Sequence, residues 1–231
     1  MEQQTKETIN KILSIFETGR VPSPSAYSTC SILSDGAGIS YGKHQSTDKS
    51  GTLDLIFNAY INAGGKYSEQ LKPYATYVRD SASAKYSSTS SSPDWCKKLI
   101  ELLKLAGADP IMQKIQDEVF DSHYWNPAFE HYKKCGLKTA MGMLVLYDTS
   151  IHSGSGNVNI IRAKFPEPSP ANGGDEKAWI KAYVAARKRW LLSSPNPLVR
   201  KTIYRMEEFE KIISANNWEL VTPLSIRGVK I

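Results

Sequence analysis

Cysteine is scarce in this chain: Cys30, Cys96 and Cys135 are odd in number and far apart, which argues against a disulfide framework and against a close-spaced zinc knuckle. Histidine is equally sparse. His44, His123, His131 and His152 lack the close pairing that zinc sites use, so no metal site is expected. Long apolar runs are missing as well. The most apolar stretch, residues 140–147, is too short to span a bilayer and runs straight into Asp148, so it reads as a buried helix and no membrane insertion is expected. The opening MEQQTKETINK has no apolar core behind a basic start, so no secretory signal is visible and synthesis in the cytoplasm is expected. No fixed-period repeat, glycine-rich phosphate loop or dinucleotide fingerprint occurs, and Ser153 lies outside any nucleophile-elbow pattern.

What remains is ordinary globular material. The 231 residues, 41% hydrophobic and 10% aromatic, can bury a real core as one domain or as two lobes sharing one. A formal charge of +6 and a pI near 9.1 favour a polyanionic partner or surface. The basic stretch 177–189 raises nucleic acid as a partner, but scattered acidic residues and the lack of a binding motif leave none expected. Residues 81–92, SASAKYSSTSSS, are the one low-complexity stretch and read as a mobile surface loop or a hinge between lobes.

The organising stretch is residues 9–51. Ile9, Ile12, Leu13 and Phe16 recur at helical spacing and predict an amphipathic helix over residues 5–18, ended by Gly19 in a left-handed conformation. Glu17 falls in its last turn, where the helix dipole disfavours negative charge by about 0.3–1 kcal/mol. Position alone fits a solvated glutamate as well as a proton donor. Pro22 and Pro24 then break the chain, and residues 27–45 alternate loosely around SDGAG like a β-hairpin or ribbon. Asp35 heads that turn, and Asp-Gly is common turn chemistry too. Two carboxylates on separate elements facing one cleft are what acid/base cleavage of a glycosidic bond requires. Ser40, Tyr41, His44 and Gln45, within SYGKHQST, supply hydroxyl, imidazole and amide groups of the kind that orient a sugar or a water.

Downstream the pattern is helical. Residues 52–63 carry an apolar stripe of Leu53, Ile56, Phe57 and Tyr60, and Pro73 interrupts a further helix over residues 67–79. Amphipathic helices are predicted over residues 93–106 and 109–122, followed by an aromatic junction, YWNPAF. Residues 137–152 form the longest apolar helix, with Asp148 as its anomaly, since a buried carboxylate needs a cation or several donors. Arg187, on the apolar side of a basic helix over residues 175–192, is a partner for it. Residues 154–174 read as a long exposed loop, 198–215 as a last helix bearing Arg205, and the final residues as an extended tail.

The run FETG, then DGAGISYG, then SGTLDLIFNAY, followed in order by QDEVFDSHYWNPAF, GLKTAMGMLVLYDTSIHSGSG, GDEKAWIKAYVAARKR and ANNWELVTPL, resembles the glycoside hydrolase family 46 chitosanases along nearly the whole chain. The resemblance implies a mainly α (α+β), lysozyme-like fold, a single catalytic domain over residues 1–231 with two lobes around a cleft and a small β-ribbon at the cleft. It implies Glu17 as general acid, Asp35 as general base, and Ser40 in place of a threonine hydroxyl that helps hold the attacking water. Asp148, Arg187 and Arg205 match a buried ion network that supports the catalytic glutamate. Catalysis of this kind is inverting and needs no metal or organic cofactor.

One departure concerns substrate. Thr52 follows Gly51 where the chitosanases carry an acidic residue that binds a glucosamine unit, and a chain of charge +6 repels a polycation at long range. Peptidoglycan is therefore the leading expected substrate, as for endolysins and other lysozyme-like wall hydrolases, with chitosan as the alternative and non-catalytic glycan binding as a third reading. The expected enzyme is a monomer that meets the cell wall after release by phage lysis or a secretion system.

Overall fold

The computed structural model describes residues 2–231. In chain order its helices are α1 (Gln3–Thr18), α2 (Thr52–Asn62), α3 (Ser68–Leu71), α4 (Ala75–Arg79), α5 (Asp94–Ala106), α6 (Pro110–Phe120), α7 (Asn126–Lys134), α8 (Ala140–His152), α9 (Gly156–Arg162), α10 (Glu176–Leu192), α11 (Pro197–Arg200) and α12 (Tyr204–Ser214). Its strands are β1 (Cys30–Ile32), β2 (Ile39–Tyr41), β3 (Ser46–Thr47), β4 (Ser225–Ile226) and β5 (Val229–Lys230). The residues divide into two compact units, one comprising Met1–Val21 with Tyr124–Ile231 and the other Pro22–His123.

The first unit is organised on α8, whose residues 140–150 are all buried. A helix apolar on every side needs neighbours on every side, and α1, α7, α9 and α10 pack against it. Its N-terminus is doubly capped. Thr139 Oγ1 accepts from the Gly142 N–H at 3.1 Å, and one carboxylate oxygen of Glu176 accepts from the Lys138 and Thr139 N–H groups at 2.8 Å each, satisfying donors that a buried helix start would otherwise leave orphaned. In α1 the predicted apolar stripe is buried, and Gly19, at φ +75°, closes the helix by donating to the Ile15 carbonyl at 2.9 Å.

The second unit wraps helices around a three-stranded antiparallel sheet of order β1-β2-β3, with Ser31 opposite Ser40 and Ser40 opposite Thr47. Leu53, Ile56, Phe57 and Tyr60 of α2 join Leu99, Ile100 and Leu103 of α5 and Met112 and Ile115 of α6 in one core beneath it. Asp109 caps α6 by accepting from the Ile111 N–H at 3.0 Å, with Pro110 at the first helical position.

Four sequence expectations need correction. The aromatic junction YWNPAF is helical: Asp121–Trp125 form a π-helical turn, and Pro127 stands in the first turn of α7, where no N–H is required. The presumed loop 154–174 contains α9, buried through Val158 and Ile161. Residues 81–92 lie inside the second unit and are tied down, with Ser83 and Ser92 buried and Thr89 Oγ1 accepting from the Ile32 N–H at 3.0 Å, so they form no hinge between lobes. The C-terminal tail folds into the β4–β5 hairpin.

Candidate active site

In the first unit, Glu17 stands at the C-terminal end of α1 with its side chain 48% exposed. The N–H groups of Arg205, in the first turn of α12, reach one Glu17 oxygen with one arm and Asp148 Oδ1 with the other, the latter at 2.5 Å. The guanidinium of Arg187 from α10 takes Asp148 Oδ2 at 2.5 Å. Asp148 and Arg187 are fully buried, and Arg205 nearly so. Each carboxylate oxygen of Asp148 has its own guanidinium, so the buried charge is paired on both oxygens. Burial by itself would raise the Asp148 carboxyl, yet the two arginines outweigh it and hold Asp148 below the ordinary carboxylate range. Burial opposes the charge on Arg205 too, and Asp148 with Glu17 overrides it and raises the guanidinium further.

The mounting of Arg205 is apolar and specific. Phe16 meets Tyr204 and Phe209 edge-on at 6.0 and 5.6 Å, Arg205 lies over the Phe16 ring at 5.2 Å, and the Tyr204 hydroxyl donates to the Phe16 carbonyl at 2.8 Å. That last bond satisfies a carbonyl at the open end of α1 and ties the residue before Glu17 to the residue before Arg205. His152 joins the rim of the network, its Nδ1 3.4 Å from an Arg187 nitrogen, and burial together with the two arginine charges pushes its imidazole down to about 4.

In the second unit, Asp35 is exposed at the head of the β1–β2 turn, its Oδ1 accepting from the Ala37 N–H at 3.0 Å. Ser40 sits mid-strand in β2 and is 8% exposed. Gln45 is exposed, and Thr52 is half-buried at the start of α2, its hydroxyl accepting from the Thr47 N–H at 3.2 Å and bonding Ser50 Oγ at 2.7 Å. Two residues assigned to substrate contact are occupied internally. Tyr41 is 1% exposed within the core, because an aromatic ring in the middle strand fills the sheet–helix interface. His44 stacks on Phe120 at 3.7 Å and bonds Asp117 through Nε2 at 3.1 Å, and burial lowers its pKa.

Asp117 is the centre of a polar cluster that the sequence does not reveal. Lys43, Tyr27 and His44 all converge on it, at 2.9, 2.6 and 3.1 Å, and although burial opposes its charge these donors hold it well below the usual carboxylate range. The neighbouring Gln116 accepts from the Lys43 N–H at 3.1 Å and donates to the Tyr27 carbonyl at 3.0 Å. The available signal was Gln116 itself, a polar side chain one position from the apolar stripe of α6 at Met112 and Ile115. Among the described residues no group of three or more His, Cys, Asp or Glu side chains is arranged to hold a metal, and no helix is long and apolar enough to cross a membrane.

The family profile described as Glycosyl hydrolase family 46 matches residues 11–224. A chitosanase of Bacillus subtilis (strain 168) is 27% identical over 239 residues, covering 99% of this chain and 83% of the relative. A chitosanase of Streptomyces sp. (strain N174) is 26% identical over 227 residues, covering 95% and 77%. The solved structure of a Gynuella sunshinyii chitosanase in complex with chitotetraose superposes with a TM-score of 0.76 at 24% identity, covering 100% of this chain and 98% of that one. A mutant chitosanase from Bacillus subtilis MY002 complexed with 6 GlcN gives 0.74 at 24% identity, over 98% and 95%. The shared fold is mostly helical with small antiparallel sheets, and the chain belongs to glycosyl hydrolase family 46, the glycoside hydrolases among which its chitosanase relatives fall.

Proposed function

We propose that this glycoside hydrolase cuts chitosan internally with inversion, using Glu17 as general acid and Asp35 as general base. The observation that carries the reading is the half-exposed Glu17 carboxyl held by a guanidinium that is itself anchored on a fully buried Asp148. A group that must deliver a proton along one direction needs such fixed mounting. Glu17 gives its proton to the leaving glycosidic oxygen as the bond to the anomeric carbon breaks. A water adds to that carbon from the opposite face and loses its proton to Asp35, and solvent later restores Glu17. Ser40 helps hold the water, while Gln45 and Thr52 are the residues of the β2–α2 segment left to meet sugar.

Chitosan leads because the relatives found over nearly the whole chain are chitosanases. The positive charge of the chain is unevenly placed. Residues 22–123 hold 10 Lys and Arg against 11 Asp and Glu, a net −1, whereas the remainder holds 19 against 12, a net +7. The unit bearing Asp35 therefore adds no net repulsion. Peptidoglycan stays as the second reading on one observation, the uncharged Thr52 at the head of α2. Viscosity loss and new reducing ends from chitosan, set beside turbidity loss in purified peptidoglycan, test the choice. Chitosan should be cut and Glu17→Gln should abolish the cutting; full activity in Glu17→Gln, or cleavage of peptidoglycan alone, would sink the proposal.

A further inference from the structure

The turn that carries Asp35 has little packing of its own. Residues 33–35 are exposed, Gly36 and Gly38 adopt φ +74° and +78°, conformations that suit glycine, and within the turn Asp35 Oδ1 accepts from the Ala37 N–H at 3.0 Å. Its geometry is set by what holds its ends. On the β1 side that is the strand pairing. On the β2 side the Lys49 N–H donates to the Ala37 carbonyl at 3.1 Å, the Asp48 N–H donates to the Ile39 carbonyl at 3.1 Å, and the Ile39 N–H donates to Ser83 Oγ at 2.7 Å. The Ser83 hydroxyl in turn donates to Asp48 Oδ2, and Ser81 Oγ donates to the Asp48 carbonyl at 3.1 Å.

A hydroxyl has one proton, and Ser83 gives it to Asp48, so its lone pair is free to receive the Ile39 N–H. The direction of the chain of bonds is fixed: backbone to hydroxyl to carboxylate. Ser83 and Asp48 are 1% and 2% exposed. Packing is as close as the bonding, since a Cβ at Gly38 would lie 2.5 Å from Ser83 Oγ and 2.9 Å from Asp48 Cβ. Asp48 Oδ1 has no hydrogen-bond partner, so the carboxyl is costly where it stands. Burial pushes it up to about 6, and the negative charge of Asp54 adds to the effect. The low-complexity stretch 81–92, to which the sequence assigned no chemistry, supplies the hydroxyl.

We propose that Ser83 and Asp48 are positioning residues for Asp35: together they clamp the β2 end of its turn so that the carboxylate keeps its aim at the attacking water. This rests on the assignment of Asp35 as the base. Loss of the clamp displaces the base and slows turnover while leaving sugar binding intact.

The test is a mutational cycle on chitosan. Ser83→Ala should lower kcat about 10- to 100-fold with KM changed less than about twofold, the signature of a misplaced catalytic group rather than lost binding. Asp48→Asn keeps an acceptor for the hydroxyl and should stay within about threefold of the parent, whereas Asp48→Ala should resemble Ser83→Ala; the Asp48 pair decides the matter should Ser83→Ala fail to fold. Asp35→Ala with added azide then removes the base from the reaction. Azide attacks the anomeric carbon directly, the glycosidic bond breaks, and the leaving oxygen takes the Glu17 proton, giving a glycosyl azide. In that background Ser83→Ala should change the azide rate less than about twofold, because coupled residues are not additive; the same comparison is read on residual hydrolysis without azide. Unchanged kcat in Ser83→Ala, or an equal loss with and without Asp35, would overturn the clamp alone. Full hydrolysis by Asp35→Ala would overturn the base assignment and the clamp with it.

Discussion

The two units solve the same problem, a buried carboxylate, in opposite ways. Asp148 in the first unit is fully ion-paired, with one arginine on each oxygen. Asp48 in the second has a hydroxyl on one oxygen and nothing on the other. Paired charge stays charged, and a buried carboxylate that lacks a cation sheds its charge by taking up a proton. The comparison teaches that the first unit is built to keep a fixed electrostatic frame around Glu17, while the second tolerates a group whose ionisation moves with pH.

The largest expected effect lies in the chemistry. Glu17→Gln and Asp35→Asn should each lower the rate of chitosan cleavage roughly 10²–10⁴-fold, measured as reducing ends released, with proton NMR of the first product showing the inverted anomer. Next is the frame itself. Asp148→Asn leaves two guanidinium groups sharing one neutral acceptor and should destabilise the protein by about 3–5 kcal/mol, measured as the shift in urea midpoint. An Asp148→Asn variant as stable as the parent would erase the contrast between the units.

The pH responses should oppose each other. The ordinary carboxyl value of 3.8 rises to about 6 at Asp48, where Asp54 and the thiols of Cys30 and Cys96 face it. The folded chain therefore holds the extra proton between these values, and the stability that it provides is lost as pH rises toward 6. For His152, with Arg187, Arg205 and Asp148 facing it, the ordinary 6.5 falls to about 4. Its contribution is present above 6.5 and lost as pH drops toward 4. Urea midpoints between pH 4 and 7 should show Asp48→Asn removing the first slope and His152→Gln the second. Smallest of all is the half-buried pair of Lys188 and Glu210 at 2.7 Å; Lys188→Ala should cost about 1 kcal/mol or less.

Much of this was legible in the sequence because periodicity and caps act locally. The stripe Ile9, Ile12, Leu13 and Phe16 ended by Gly19, and the stripe of α2, gave helices whose bounds match the structure closely. Asp148 announced itself as a carboxylate in an apolar run, and arginine was its foreseeable partner. What failed had long-range causes. The helix α9 is short and is stabilised by burial of Val158 and Ile161, which no local pattern reveals. The roles of Asp117 and Ser83 depend on partners 74 and 44 positions away, Lys43 and Ile39. Tyr41 and His44 lie in a polar-looking segment whose internal contacts no local pattern reveals: β2 turns Tyr41 into the core, and the turn after it sets His44 on Phe120 and Asp117. Total charge points away from a cationic polymer but conceals how that charge is distributed between the units.

The contact between Glu17 and Arg205 joins positions 188 apart, and the whole of the second unit is spelled out between them. A ribosome therefore completes the Asp35 half while Glu17 still waits for its guanidinium, and the acid acquires its mount only after residue 205 has been made. Products cut short before residue 205 would contain both acidic side chains yet lack the brace for one of them, so incomplete chains would emerge as poor catalysts.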